Sequence, residues 1–111
     1  MGNLLFSLDG RQELATSIIN ETNTWSKDNH LELGVLRTQK FSDGELCVDF
    51  TTSVRGKRVY ILSSPNNSDE IMKLNLAIDA AKRGAAKEII PILPYYPYSP
   101  YPASDNLNIF D

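Results

Sequence analysis

The sequence has only one cysteine, Cys47, and one histidine, His30, in 111 residues. A lone cysteine forms no internal disulfide, and the spacings of zinc-binding motifs such as HExxH are absent. His30 lies in a polar stretch, where we expect a solvated loop residue. These absences exclude a metal site built from cysteine or histidine, and we assign no metal ligand in this chain.

Long apolar runs and an excess of positive charge are also missing. No segment approaches the roughly 20 apolar residues of a membrane-spanning helix, and the N-terminus lacks the pattern of a signal peptide. The formal net charge is -3 at pH 7, so the overall charge does not favour nucleic acid. We expect a soluble, cytoplasmic protein with neither a membrane nor a nucleic-acid partner.

The composition is typical of a folded domain, with 41% hydrophobic and 23% charged residues. One compact domain is expected at this length. Apolar residues recur at the helical period over residues 12–22, where Asp9 is a candidate cap, and again after Asn67. Asn67 and Glu70 are spaced as a capping box, and Gly84 is a natural stop. The pattern predicts two main helices.

Short apolar runs predict strands at residues 4–6, 33–36, 46–50, 59–62 and 89–93. Residues 59–62 and 89–90 are continuously apolar, which favours strands covered on both faces, as in a parallel sheet. The strand, helix and strand from Val59 to Leu93 have the length of a βαβ unit. Residues 42–44 (Ser-Asp-Gly) predict a hairpin turn. The fold class that follows is α/β.

Three polar segments are candidate ligand sites, each with a plainer structural interpretation. Asp43 and Glu45 suit a cation or the amino group of a ligand, but also a solvated turn. Residues 63–68 lie between a strand and a helix N-terminus, where backbone N–H groups hold anions, although serine and asparagine are ordinary caps there. Residues 55–58 include three cations, which suit a small anion or a solvated strand entry.

The chain changes character at Pro91, beyond which prolines alternate with tyrosines as far as Pro102. Proline blocks the hydrogen bonds of helices and strands, so we expect an extended or looped chain beyond Leu93. Residues 94–97 match the PxxP pattern of polyproline ligands. Packing as a continuation of the preceding strand is the alternative interpretation.

Three segments together resemble the N-terminal half of the ribose-phosphate pyrophosphokinases, or phosphoribosyl pyrophosphate synthetases. They are residues 40–45 (KFSDGE), residues 53–56 (SVRG), and the stretch from Ile61 through the second helix to Tyr95. Their order and spacing hold from about Leu4 to Ser99. The combination is specific, whereas FSDGE alone is a weak signal.

The resemblance implies a three-layer α/β fold of the phosphoribosyltransferase type, with a mostly parallel sheet and a projecting β-hairpin. Residues 1–99 correspond to the N-terminal domain of this type, and residues 100–111 form an irregular tail that departs from the family. The family transfers the diphosphoryl group of Mg-ATP to ribose 5-phosphate and so makes phosphoribosyl pyrophosphate for nucleotide synthesis. ATP and Mg²⁺ are therefore the implied cofactors.

The resemblance also implies roles for particular residues. Phe41 stacks on adenine while Asp43 and Glu45 contact the purine, on a loop lent to the active site of a neighbouring subunit. Ser53 and Arg55 match a regulatory site for phosphate or nucleotide, where a guanidinium suits the anion. A homo-oligomer formed through the N-terminal domain is implied, because a lent loop needs a recipient.

Several features of the family have no counterpart in this sequence. An Arg-Gln-Asp run that holds ATP is replaced by residues 100–102 (Pro-Tyr-Pro), and a serine of the regulatory site is Ala85. The family's catalytic histidine, mobile basic loop and acidic phosphoribosyl-binding loop are absent. None of the 11 lysines and arginines lies after Lys87, whereas diphosphoryl transfer depends on cations around the developing charge.

We therefore assign no catalytic residue and expect a truncated synthetase half that has no turnover alone. The alternative is a non-catalytic regulatory subunit associated with a full-length synthetase. A third interpretation is a binding module that holds a small anion in the loop at residues 63–68.

Overall fold

The computed structural model describes residues 2–8, 12–26, 30–65 and 67–93. In chain order, its elements are β1 (Asn3–Ser7), α1 (Gln12–Trp25), β2 (Leu31–Leu33), β3 (Leu36–Lys40), β4 (Leu46–Phe50), β5 (Arg58–Leu62), α2 (Ser68–Arg83) and β6 (Glu88–Ile92). Strands β2, β1, β5 and β6 lie side by side in that order and form a parallel sheet. Strands β3 and β4 form a separate antiparallel hairpin. The predicted α/β class, with a mostly parallel sheet and a β-hairpin, is confirmed.

An apolar layer covers each face of the central strands. On one face, Phe6 and Ile61 pack in a cluster with Leu74 of α2 and the base of the hairpin. On the other face, Leu5 packs with Ala15 of α1. Because successive side chains of a strand point to opposite faces, β1 and β5 contribute residues to both clusters. Each large apolar side chain buried in this way contributes about 1.5–3 kcal/mol.

Strand β6 differs from the expectation of a strand covered on both faces. That expectation holds for β5, but the residues of β6 are exposed or half-buried, and β6 is the outer strand of the described sheet. The Ser63 N–H donates to the Ile92 carbonyl at 3.0 Å, so the backbone of the adjacent Pro91 faces away from β5. Proline, which lacks an N–H, is tolerated at such an edge.

The single strand predicted over residues 33–36 is wrong, because β2 ends and β3 begins within it. Gly34 marks the break. A Cβ at this position would lie 2.3 Å from the Phe6 ring, so glycine is needed where the chain crosses the ring. The Gly34 N–H still donates to the Leu5 carbonyl at 2.8 Å before the chain leaves the sheet. This contact joins distant positions, so the local sequence pattern did not reveal it.

The start of α2 confirms the predicted cap. The Asn67 side chain accepts a hydrogen bond from the Glu70 N–H at 2.9 Å. This bond satisfies one of the backbone donors that the first turn of a helix leaves unpaired.

Helix α2 ends in a Schellman motif. The left-handed position of this motif, which favours glycine, falls one residue after Gly84. The Ala86 N–H donates to the Ala81 carbonyl at 3.1 Å, and the Ala85 N–H donates to the Lys82 carbonyl at 3.0 Å. The left-handed position of this motif is Ala85, with a φ of 65°. Gly84 has a φ of -78° and serves close packing instead, because a Cβ there would lie 2.7 Å from Val54.

Helix α1 continues past the predicted end near Thr22 as far as Trp25. The side chain of Asn23 accepts from the Leu31 N–H at 2.8 Å and donates to the Leu31 carbonyl at 3.0 Å, which fixes the end of α1 against β2. The suggested cap, Asp9, lies outside the described residues. No helix in the described ranges combines the length and the apolar character needed to cross a bilayer.

Candidate nucleotide-recognition hairpin

The tip of the β3–β4 hairpin carries the three residues that the resemblance implies for adenine recognition. The loop is closed by two backbone hydrogen bonds of 2.8 Å, from Phe41 N–H to the Glu45 carbonyl and from Gly44 N–H to the Phe41 carbonyl. Gly44 has a φ of 88°, a conformation that favours glycine. The predicted turn at residues 42–44 therefore forms.

The polar and aromatic groups of the tip face solvent. Asp43 Oδ1 accepts from the Glu45 N–H at 3.0 Å, which orients the Asp43 carboxylate relative to the turn. Phe41 is 49% exposed, and Asp43 and Glu45 are also exposed. An aromatic face beside two carboxylates suits a purine, since the ring stacks on the base and a carboxylate accepts from an exocyclic amine.

The base of the hairpin, in contrast, is fixed in the protein core. Val48 is buried, and Leu36 and Phe50 pack against the same cluster. The rings of Phe50 and Phe6 meet edge to face with their centroids 4.7 Å apart. Core packing at one end and an exposed loop at the other allow the hairpin to present its tip to a ligand.

An ion pair connects the hairpin to α2. Lys40 Nζ lies 2.7 Å from Asp69 Oδ2, and both side chains are about half exposed. The hydrogen bond from Lys40 lowers the pKa of the Asp69 carboxyl, helped by the charge of Lys40 and to a smaller extent by that of Lys73. No local sequence pattern indicated this pair, because its partners are 29 residues apart.

The residues matched to the regulatory site lie elsewhere, between the end of β4 and the end of α2. Ser53 and Arg55 line an open cavity of about 390 Å³, to which Arg83 and Gly84 of the helix end also contribute. Arg83 Nε pairs with Asp79 Oδ2 at 3.1 Å. The structure thus brings Ser53 and Arg55 to one cavity. Arg83 also lines this cavity, and it was not among the candidate site residues predicted from the sequence.

In the loop at residues 63–68, the described part that precedes Asn66 is buried. Ser63, Ser64 and Pro65 are buried, and Asn67 caps α2. Asn66 lies outside the described residues. These observations favour the capping interpretation of this loop over the phosphate site.

In the part of the chain that the structure describes, no three His, Cys, Asp or Glu residues lie close enough together to hold a metal ion such as Mg²⁺. His30 is exposed, as expected. The proline and tyrosine segment from Pro94 onward, with its PxxP match, and the tail at residues 100–111 lie outside the described residues.

The parallel sheet and the added hairpin define an α/β domain of the phosphoribosyltransferase type. A hypoxanthine phosphoribosyltransferase from Staphylococcus aureus is similar, with a TM-score of 0.60 over 83% of this chain and 51% of that one. At 17% identity, this similarity shows the fold alone.

The family follows from closer matches. Residues 3–104 match the N-terminal domain of ribose phosphate pyrophosphokinase. The chain therefore belongs to the ribose-phosphate pyrophosphokinase family, and the resemblance drawn from the three segments is confirmed.

Three relatives show how much of the family's length the chain covers. It is 40% identical to a ribose-phosphate pyrophosphokinase of Mycoplasma genitalium and 42% identical to one of Ureaplasma parvum, over 82% and 81% of this chain. It spans only 26% of either relative. The crystal structure of phosphoribosylpyrophosphate synthetase from Mycobacterium smegmatis matches with 34% identity and a TM-score of 0.68, over 95% of this chain and 37% of that one.

Proposed function

We propose that this chain provides the ATP-recognition part of a ribose-phosphate pyrophosphokinase, a transferase of nucleotide biosynthesis that acts in the cytoplasm. Phe41 stacks on the adenine, and Asp43 and Glu45 accept hydrogen bonds from the purine. The observation that carries the proposal is the exposed tip, with an aromatic residue 49% accessible on a hairpin whose base is packed in the core.

The proposal includes self-association through this domain. As the family resemblance implies, the hairpin tip is lent to the active site of a neighbouring subunit, which holds the nucleotide. We expect a homodimer or a larger assembly at micromolar concentration. Analytical ultracentrifugation tests this expectation, and a monomer at all accessible concentrations contradicts it.

The adenine contact is tested by measuring ATP binding to the Phe41→Ala variant by titration calorimetry. Stacking of a base on an aromatic ring contributes about 1–3 kcal/mol, so ATP affinity should fall by at least about fivefold. Trp25→Ala is the matched control, because Trp25 is an exposed aromatic residue on a different element. Equal affinities of the Phe41→Ala variant and the unaltered chain would refute the contact.

Binding and turnover are separate parts of this function. Transfer of a diphosphoryl group needs cations around the reacting phosphates, and this chain has no lysine or arginine after Lys87. We propose that the 111-residue chain forms no phosphoribosyl pyrophosphate from Mg-ATP and ribose 5-phosphate. Product formation by the purified chain would overturn this part alone.

A second candidate is a non-catalytic subunit that regulates a full-length synthetase, and the observation that favours it is the cavity lined by Ser53 and Arg55. The cavity beside Ser53 and Arg55 is the surface through which a regulatory phosphate would act. Co-purification with an active synthetase and altered inhibition of that enzyme support this candidate. If the chain does not associate with a synthetase in this way, the result supports the first candidate, the ATP-recognition part.

A further inference from the structure

The distal part of the hairpin is separated from α2 by an open groove. The groove has a volume of about 470 Å³ and is lined on the hairpin side by Gly44, Glu45 and Leu46. Ser68, Asp69, Met72 and Leu76 line the opposite side. Side-chain packing fixes the base of the hairpin, whereas the open groove leaves space between its distal part and α2.

The Lys40–Asp69 pair joins the hairpin to Asp69, which lines the α2 side of this groove. Lys40 is the last residue of β3, directly before Phe41, and Asp69 lies in the first turn of α2. The 2.7 Å separation of Nζ and Oδ2 is that of a charge-assisted hydrogen bond. The pair between Arg37 and Asp49, at 3.3 Å, lies within the hairpin instead and cannot set its distance from α2.

We propose that Lys40 and Asp69 are positioning residues that hold the hairpin tip against α2 and so direct Phe41 toward the nucleotide. This inference rests on the proposed ATP recognition for its functional consequence, but not for its geometry. An exposed ion pair contributes little to global stability. It is still sufficient to bias a hairpin between two positions of similar free energy by roughly two- to fivefold.

The geometric part is tested by NMR contacts across the groove, between the side chains of Leu46 and Met72. In Lys40→Gln these contacts should weaken, and in Arg37→Gln they should remain. Exchanging the charges, with Lys40→Asp and Asp69→Lys combined, should restore them. Contacts that are unchanged in Lys40→Gln overturn the inference, whatever the result for ATP.

The pH dependence of the Leu46–Met72 contacts provides a second test. A general loss of packing would not change this dependence. Asp69 faces Lys40 on the hairpin and Lys73 on its own helix, and its pKa is lowered. The contribution of the pair is therefore complete above the ordinary carboxyl pKa of about 4 and is lost as the pH falls through the lowered value. In Asp69→Asn, groove contacts should be weak at every pH. If the groove contacts of Asp69→Asn depend on pH in the same way as those of the unaltered chain, the inference is contradicted.

The functional part is tested by ATP affinity in the same variants. Lys40→Gln should bind ATP about two- to fivefold more weakly, with recovery in the charge exchange and no change in Arg37→Gln. If the unaltered chain binds no ATP, the proposed function fails while the NMR contacts still decide the positioning role. If ATP binds but Lys40→Gln retains full affinity, the positioning role fails and ATP recognition stands.

Discussion

At the scale of single residues, Ala85 is the one residue other than glycine that has a positive φ in the described part of the chain. Its φ of 65° lies in the left-handed region, which costs a residue other than glycine about 1–2 kcal/mol. Gly84, one residue earlier, is required for its small size beside Val54 rather than for its backbone angle. Of these two adjacent residues, Gly84 is thus constrained by side-chain packing and Ala85 by its backbone conformation.

We predict that Ala85→Gly stabilises the protein. Relief of the left-handed strain outweighs the greater chain entropy of glycine in the unfolded state, for a net gain of up to about 1 kcal/mol. Urea denaturation measures the change. Ala80→Gly, inside α2, is the control and should lose about 1 kcal/mol. A loss of stability in both variants would contradict this account of the helix end.

The residue scale also shows which site residues sequence could identify. Phe41, Asp43 and Glu45 were singled out as candidates because they lie within five consecutive residues and match a family motif. Lys40 was part of the same motif, but its role depends on Asp69, which comes close only after β4 and α2 pack together. Charge pairs between distant segments carry no local signature.

At the scale of elements, the caps and turns were the features best predicted from sequence. The Asn67 cap and the turn ending at Gly44 form as expected, because each depends on hydrogen bonds or torsion angles within a few residues. The break at Gly34 and the half-exposed β6 were not predicted. Both depend on neighbours distant in sequence: the Phe6 ring in one case, and the position of β6 at the sheet edge in the other.

The cap of α2 gives a prediction at this scale. Asn67→Ala removes the acceptor for the Glu70 N–H and should cost about 1 kcal/mol. Asn67→Asp retains a side-chain acceptor and should cost much less. Thermal denaturation of the two variants measures the difference. Equal stabilities would show that the Asn67 bond contributes nothing to helix α2.

At the scale of the whole molecule, the architecture separates a packed sheet from a hairpin with an exposed tip. The four-stranded sheet, with α1 on one face and α2 and the hairpin base on the other, provides the rigid part. The hairpin carries the exposed residues of its tip, for which we propose the recognition role, out of this core. Apolar continuity predicted the buried strand β5, but it also marked β6, which lies at the sheet edge. The polar turn flanked by apolar runs predicted the hairpin.

The account depends on contact between the hairpin tip and the adenine of ATP bound to another subunit. The most direct measurement is an NMR experiment on ATP added to an assembly with ring-labelled phenylalanine in half of its subunits. We predict contacts between the adenine protons and the Phe41 ring, lost in Phe41→Ala. ATP binding without any contact to Phe41, in its own or a neighbouring subunit, would contradict the central claim.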